Sequence, residues 1–279
     1  GMASDIAIGD RAKTNTNGAG TAAIAIGMNA NASDAGSVAL GANSNATGLN
    51  SLALGVSSLA TSCSSVAVAG QSLAYAATAI SGVASGNSST AIGGALASGL
   101  ESISIGKASN VTGNQSIGIG VGNQVHGHNS GAFGDPSVIN ANASYSVGNN
   151  NTLAAGQTGV FALGNDIKTT ASNSVFLGSN TAYTAADSNT TAGITNATGV
   201  ISVGNISANE RRRIQGVAEG LVSENSTDAV TGAQLYNVSK NSVKYFGVNS
   251  TAAGNRDGSG AVGADSIAIG VNASTNASQ

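Results

Sequence analysis

Few residues in this chain could do chemistry, and their spacing limits what each could do. His126-Gly127-His128 sets two imidazoles two residues apart, which on a strand places both on one face and, repeated by symmetry, would suit a transition metal. Neither a carboxylate nor a cysteine accompanies them, and they stand where comparable positions carry Thr or Ser, so a solvated turn is the expected role. Gly118-Ile119-Gly120-Val121-Gly122 is glycine-rich, but no helix follows to complete a phosphate cradle. Arg211-Arg212-Arg213 could form an anion patch. The better reading uses both signs of charge: Glu210, Glu219, Glu224 and Asp228 lie close in sequence, and Arg213 is expected to pair with Asp228 or Glu219 of a neighbouring chain. Cys63 is the sole cysteine, so no intramolecular disulfide can form. Nucleophile-elbow, P-loop and zincin signatures are missing, and the acidic residues do not recur with the period that a calcium-binding repeat needs. The expectation is no catalysis, no cofactor and no metal.

The composition points the same way. Of 279 residues 40 are Gly, one is Pro and none is Trp; only 8% are charged, against about 25% in an ordinary globular domain. Hydrophobic content is nevertheless 41%, carried by Ala with isolated Val, Ile and Leu, so a packed structure is expected rather than disorder. A net charge of -3 with sparse basic residues argues against nucleic acid and against a polybasic membrane surface. No apolar run approaches the roughly 18 residues that span a bilayer. Gly1-Met2 is not followed by a basic and then apolar leader, so neither an anchor nor a signal peptide is expected within a chain that reads as part of a longer one.

The element that positions everything is a repeat. Ser37-Val38-Ala39-Leu40-Gly41 returns as Ser51-Leu52-Ala53-Leu54-Gly55, Ser102-Ile103-Ser104-Ile105-Gly106, Ser116-Ile117-Gly118-Ile119-Gly120 and Ser174-Val175-Phe176-Leu177-Gly178, with closing glycines most often 14 residues apart. Between Gly55 and Gly106 the closing glycines are assigned to 70, 82 and 93. Large residues two apart with a small one between are strand periodicity. A weaker signal midway, such as Ala46-Thr47-Gly48, supplies a second strand, each strand being stopped by a Gly able to take positive φ. One such unit is a coil of a β-solenoid, and stacking through Gly204 at the parallel-strand spacing gives a length of about 60 Å. A strand apolar on both faces expects two buried surfaces. One can be the coil's own interior; because so small a coil buries little by itself, the flat Ala39 face is expected at a subunit interface, although the alternation leaves open which face meets which surface. The rhythm lapses over residues 179–199, read as a loop or enlarged coil, and Val200–Gly204 restores a last strand.

At Asn205 the composition changes. Asn209-Glu210-Arg211-Arg212-Arg213-Ile214, then Val217-Ala218 and Gly220, then Thr227-Asp228-Ala229-Val230-Thr231-Gly232-Ala233-Gln234-Leu235, resemble the neck of trimeric autotransporter adhesins, with Gly216 and Thr231 where that family usually has Asn. The repeats resemble the Yersinia-adhesin-like head of the same family. The resemblance implies an all-β fold, a left-handed parallel β-roll of about 14-residue coils forming a homotrimer. It sets out a head over 1–204, a neck over 205–236, a short stalk helix and connector over 237–250, and the start of a second head over 251–279. Glu210, Arg213, Ile214, Val217, Gly220, Asp228, Ala229, Val230, Gly232, Gln234 and Leu235 are its structural neck residues. Thr227 and Asp228 are expected to cap the helix, with Val230, Leu235, Val238 and Val243 as its apolar stripe. Tyr245–Ser250 resembles the family's connector back to a head, with Gly247 and Val248 in place of its His and Ala. The resemblance further implies attachment to host extracellular matrix or host cells, and a bacterial cell-surface location with an outer-membrane anchor in a C-terminal region outside this chain. A structural spacer holding a distal binding domain is the alternative. An ice-binding or acyltransferase solenoid would have no use for the neck, and the chain has neither a regular Thr ladder nor hexapeptides.

Overall fold

The computed structural model describes residues 4–15, 22–183, 198–242, 261, 267–269 and 273–275. The chain divides into two compact units, Gly1–Arg212 and Arg213–Gln279.

The first unit is a parallel β-solenoid of about 14-residue coils. Each phrase forms a strand of three residues and each midway signal a strand of two. Among the described residues the phrase strands stack into one sheet of fourteen, Ile6–Ile8 to Ile201–Ser202, and the midway strands into one of twelve, Lys13–Thr14 to Lys168–Thr169. We call these the wide and the narrow sheet. Pairing is parallel and in register from coil to coil: Val38 faces Leu52, Leu52 faces Val66, and Ile103 faces Ile117.

The orientation of the phrase is the reverse of the sequence expectation. Ala39, Ala53 and Ala67 are fully buried inside the coil, whereas Val38, Leu40, Leu52 and Leu54 point outward and remain partly exposed. The reason is geometric. A coil of two short strands joined by tight corners leaves so little space between its sheets that only Ala, Ser or Gly fits against the facing Ala46 or Ala60. Large residues therefore go outside, as two columns along the wide sheet.

Corners are built from residues with local hydrogen bonds. The buried Oγ of Ser44 donates to the Gly41 carbonyl (2.8 Å) and that of Ser58 to Gly55 (2.9 Å), so that each buried hydroxyl finds a partner in the turn. Positive φ is taken at Gly41 (φ 137) but also at Asn43 (φ 57) and Asn50 (φ 54), because Asn tolerates the left-handed region. Gly48 has no positive φ; a Cβ there would strike the Ser62 carbonyl of the next coil, so close stacking demands that glycine.

Two assigned closing glycines are displaced. Val68 and Ile80 end their strands, and Ala69 (φ 50) and Ser81 (φ 51) take the turn, one residue before Gly70 and Gly82. From Val66 to Thr78 and from Thr78 to Thr90 each coil is only twelve residues long, because the corner between the two sheets has lost two residues.

The solenoid ends in a folded-back segment. Asn205 and Glu210 exchange backbone hydrogen bonds (2.8 and 2.9 Å), and the Arg212 guanidinium donates to the carbonyls of Val203 (2.9 Å) and Ser179 (2.8 Å). This covers carbonyls at an end that would otherwise be open to strand addition.

In the second unit the helix α1 runs Gly232–Ser242, starting inside the stretch assigned to the neck. Its cap is Thr231, not Thr227 or Asp228. The Gln234 amide donates to Thr231 Oγ1 (3.3 Å) while the Thr231 amide donates to Gln234 Oε1 (3.0 Å), the reciprocal pair of a capping box. Val243 and the connector Tyr245–Ser250 lie outside the described residues, as do Ser266 and Gly270 of the final phrase and residues 184–197 of the lapse.

Candidate functional site

Three surfaces could carry function: the outward face of each sheet and the neck. Along the wide sheet, the apolar columns begin with Ile6 and Ile8 (58% exposed) and continue through Leu54 (40%), Ile80, Ile103 and Ile119 to Phe161 and Leu163 (47%). Thr78 and Thr90 interrupt one column with hydroxyls, and at Gly131 the space of the missing side chain is filled by the Tyr145 ring of the next coil. An apolar strip of this length on a solvent-facing sheet, broken only at Thr78, Thr90 and Gly131 in one of its two columns, marks an interaction surface.

The narrow sheet presents something different. Its outward positions include two short amide ladders: Asn31 Nδ2 donates to Asn45 Oδ1 (2.9 Å), and Asn110 Nδ2 to Gln124 Oε1 (3.2 Å). Between these ladders, in and around the short coils, Leu59, Val83 and Leu96 face outward. Beside them the shortened corners leave a recess of ≈ 350 Å³, lined by Val56, Ala69, Gly70, Gln71, Gly82 and Ala95 among others. Its sequence signal is the shortened spacing of the assigned glycines at 70, 82 and 93.

The residues singled out for chemistry occupy the edges of the roll. His128 Nδ1 accepts from the Asn114 amide (3.0 Å), and the His128 amide donates to Asn142 Oδ1 (2.8 Å), so this imidazole fills a rung otherwise taken by Asn. His126 Nδ1 lies 2.8 Å from Thr112 Oγ1. Gly118 is a packing residue, since a Cβ would meet Val111 Cγ2 at 2.7 Å. Cys63 is exposed at a turn. Among the described residues no group of three or more His, Cys, Asp or Glu could hold a metal ion, and no helix is long and apolar enough to cross a membrane.

The neck residues fall into two sets. Gln234 brings one set together: its Nε2 donates to the Gly220 carbonyl (2.6 Å) and its Oε1 accepts from the Gly220 amide (3.0 Å), locking the loop to the first turn of α1. Asp228 Oδ2 accepts from the Leu221 amide (2.9 Å), and a Cβ on Gly220 would strike the Ala229 carbonyl. Gly232 begins the helix. The other set has nothing to pack on within one chain: Ile214 (71% exposed), Val217, Val230, Leu235 (65%) and Val238 are open to solvent. Arg213 makes no ion pair with Asp228 or Glu219 of its own chain. Glu210 accepts from Asn180 Nδ2 (3.0 Å), and Arg211 donates to Asn209 Oδ1 (2.8 Å). The carbonyl-binding role of Arg212 had no sequence signal, because three adjacent arginines look alike before the fold separates them.

Family comparisons bear on these surfaces. The family model described as the YadA head domain repeat matches residues 19–44, 46–68, 97–123 and 261–279. The one described as the coiled stalk of trimeric autotransporter adhesin matches residues 213–258, and together they account for about half of the chain. Among solved structures, the collagen-binding domain of the Yersinia adhesin YadA is similar at 17% identity and a TM-score of 0.37, covering 70% of this chain and 85% of that one. No curated protein matches.

Proposed function

Because the chain belongs to the trimeric autotransporter adhesins, a non-enzymatic class of cell-surface proteins anchored in the outer membrane, we propose that three copies assemble through the apolar columns of their wide sheets and attach the bacterium to host extracellular matrix or host cells through what remains outside. One observation carries this reading: each chain buries its small-residue face internally and leaves two columns of mainly large apolar side chains uncovered along the roll, interrupted at Thr78, Thr90 and Gly131. The neck needs the same assembly. An 11-residue helix is marginal alone in water, and that of α1 has an apolar face with no intrachain cover. Threefold display of near-identical coils raises effective concentration at a ligand-coated surface without a strong single site. Arg213 pairs with Asp228 or Glu219 of a neighbouring chain at the neck. The chain catalyses no reaction and binds no cofactor, metal or nucleic acid.

A second reading, a spacer that projects a distal binding domain, draws on the amide ladders of the narrow sheet, which supply little of the Trp, Tyr and Arg that dominate binding hot spots. A solid-phase assay against collagen, fibronectin, laminin and epithelial cells separates the two. Saturable binding that weakens when the chain is made monomeric supports adhesion; no binding to any of the four supports the spacer.

A further inference from the structure

The narrow sheet opens at its last strand. Backbone hydrogen bonds join every earlier neighbour in it, as from Thr152 to Ile167 (2.8 Å), but none joins Lys168–Thr169 to the next stretch, residues 181–183; the Ala182 amide donates instead to the Gly204 carbonyl (3.0 Å). A cleft of ≈ 360 Å³ lies at this opening, lined by Asn150, Asp166, Lys168, Asn180, Thr181 and Asn205, with Ala182 as its one apolar side chain. That volume is at the small end of ligand pockets, about 300–1,000 Å³.

The lining is held in place by its own bonds. Asn150 Nδ2 donates to Asp166 Oδ1 (2.7 Å), Asn205 Nδ2 to Asn180 Oδ1 (3.4 Å), and Asn180 Nδ2 to Glu210 Oε1 (3.0 Å). Asn150, Asp166 and Asn180 all take positive φ, which fixes them as one column along the corner. Neither Asp166 nor Lys168 makes an ion pair among the described residues, and Thr181 Oγ1 is turned inward to the carbonyls of Leu177 and Gly178. The cleft therefore offers amide donors and acceptors, a carboxylate acceptor and an ammonium donor beside a comparable area of apolar surface from Ala182 and the aliphatic parts of the other side chains, which suits the C–H faces of a polyhydroxylated ring. A phosphate or sulfate would face Asp166, and a bare cation would face Lys168. A neutral compound with neighbouring hydroxyl groups meets both, each hydroxyl donating to carboxylate or amide oxygen and accepting from amide or ammonium.

We propose that this cleft is a saccharide subsite that takes a single neutral pyranose unit. Its geometry is complete within one chain, so it depends neither on the trimer nor on binding to matrix proteins. Preorganised side chains reduce the ordering cost of binding, but with no aromatic platform the affinity of one site is weak, with Kd of about 1 mM or above.

The test is saturation-transfer NMR on the full chain with the methyl glycosides of glucose, galactose, mannose and N-acetylglucosamine, each at about 10 mM. Transfer to at least one glycoside is expected, falling about tenfold in the double variant Asp166→Gly/Asn180→Gly, which removes the side chains at positions whose φ of 58 and 55 suit glycine. Asn43→Gly, at the same corner position of a distant coil with φ 57, should leave the signal unchanged. Absence of transfer to all four glycosides, or transfer that survives the double substitution, overturns the proposal. Neither result touches matrix adhesion, which the solid-phase assay reads separately.

Discussion

The early and late coils of the roll solve one packing problem in two ways. From Ala23 to Ala97 the buried apolar residues of both sheets are alanines. From Val111 onward the narrow sheet contributes Val111, Val125, Ile139 and Leu153, and the wide sheet answers with Ser104, Gly118, Ala132 and Ser146 before closing on Phe176. Larger residues on one side are matched by smaller ones on the other, and Gly118 shows how tightly, since Val111 already occupies the place of its Cβ. The outward columns persist through both halves. Interior composition thus varies along the roll while the outer face of the wide sheet stays mainly apolar.

The comparison can be broken in four ways. Phe176→Ala should have the largest effect, about 3–5 kcal/mol, because the thick half depends on its large side chains; urea unfolding of variant and parent reads it. Ala53→Leu should cost about 1–3 kcal/mol in the thin half, where no smaller partner makes room. A cost near zero for Ala53→Leu would mean that the early coils contain slack, and the contrast between the halves would fail. Gly118→Ala should be destabilising alone by a similar amount and milder in combination with Val111→Ala, a double-mutant cycle whose coupling measures the matched volumes directly. Smallest is Thr231→Ala, which removes the cap of α1 for about 1 kcal/mol and should lower helix content by circular dichroism without moving the unfolding of the roll.

Much of this was legible in the sequence, and the failures are instructive. The repeat, its two strands and the parallel stacking follow from large residues two apart and the 14-residue period. The direction in which Ala39 points does not, because alternation alone gives two faces and no sign; the sign comes from the narrow gap between sheets, a property of coil size. Glycine was over-read at 70 and 82, where Ala69 and Ser81 take positive φ because the stacked turn dictates it. In the neck, T-x-x-Q at Thr231 to Gln234 is a readable capping box that the earlier cap candidates Thr227 and Asp228 obscure. The polar cleft at Lys168 had no sequence signal, since it arises from a ladder that stops.

The central claim is that the outward columns of the wide sheet are covered by other copies of the chain. Sedimentation equilibrium at micromolar concentration tests it most directly, with the parent chain beside Leu54→Glu, which places a charge in one column. The parent is predicted to sediment at three times the 26.6 kDa chain mass, and the variant to shift toward the single-chain mass. A parent chain that is a stable, folded monomer at that concentration would contradict the account.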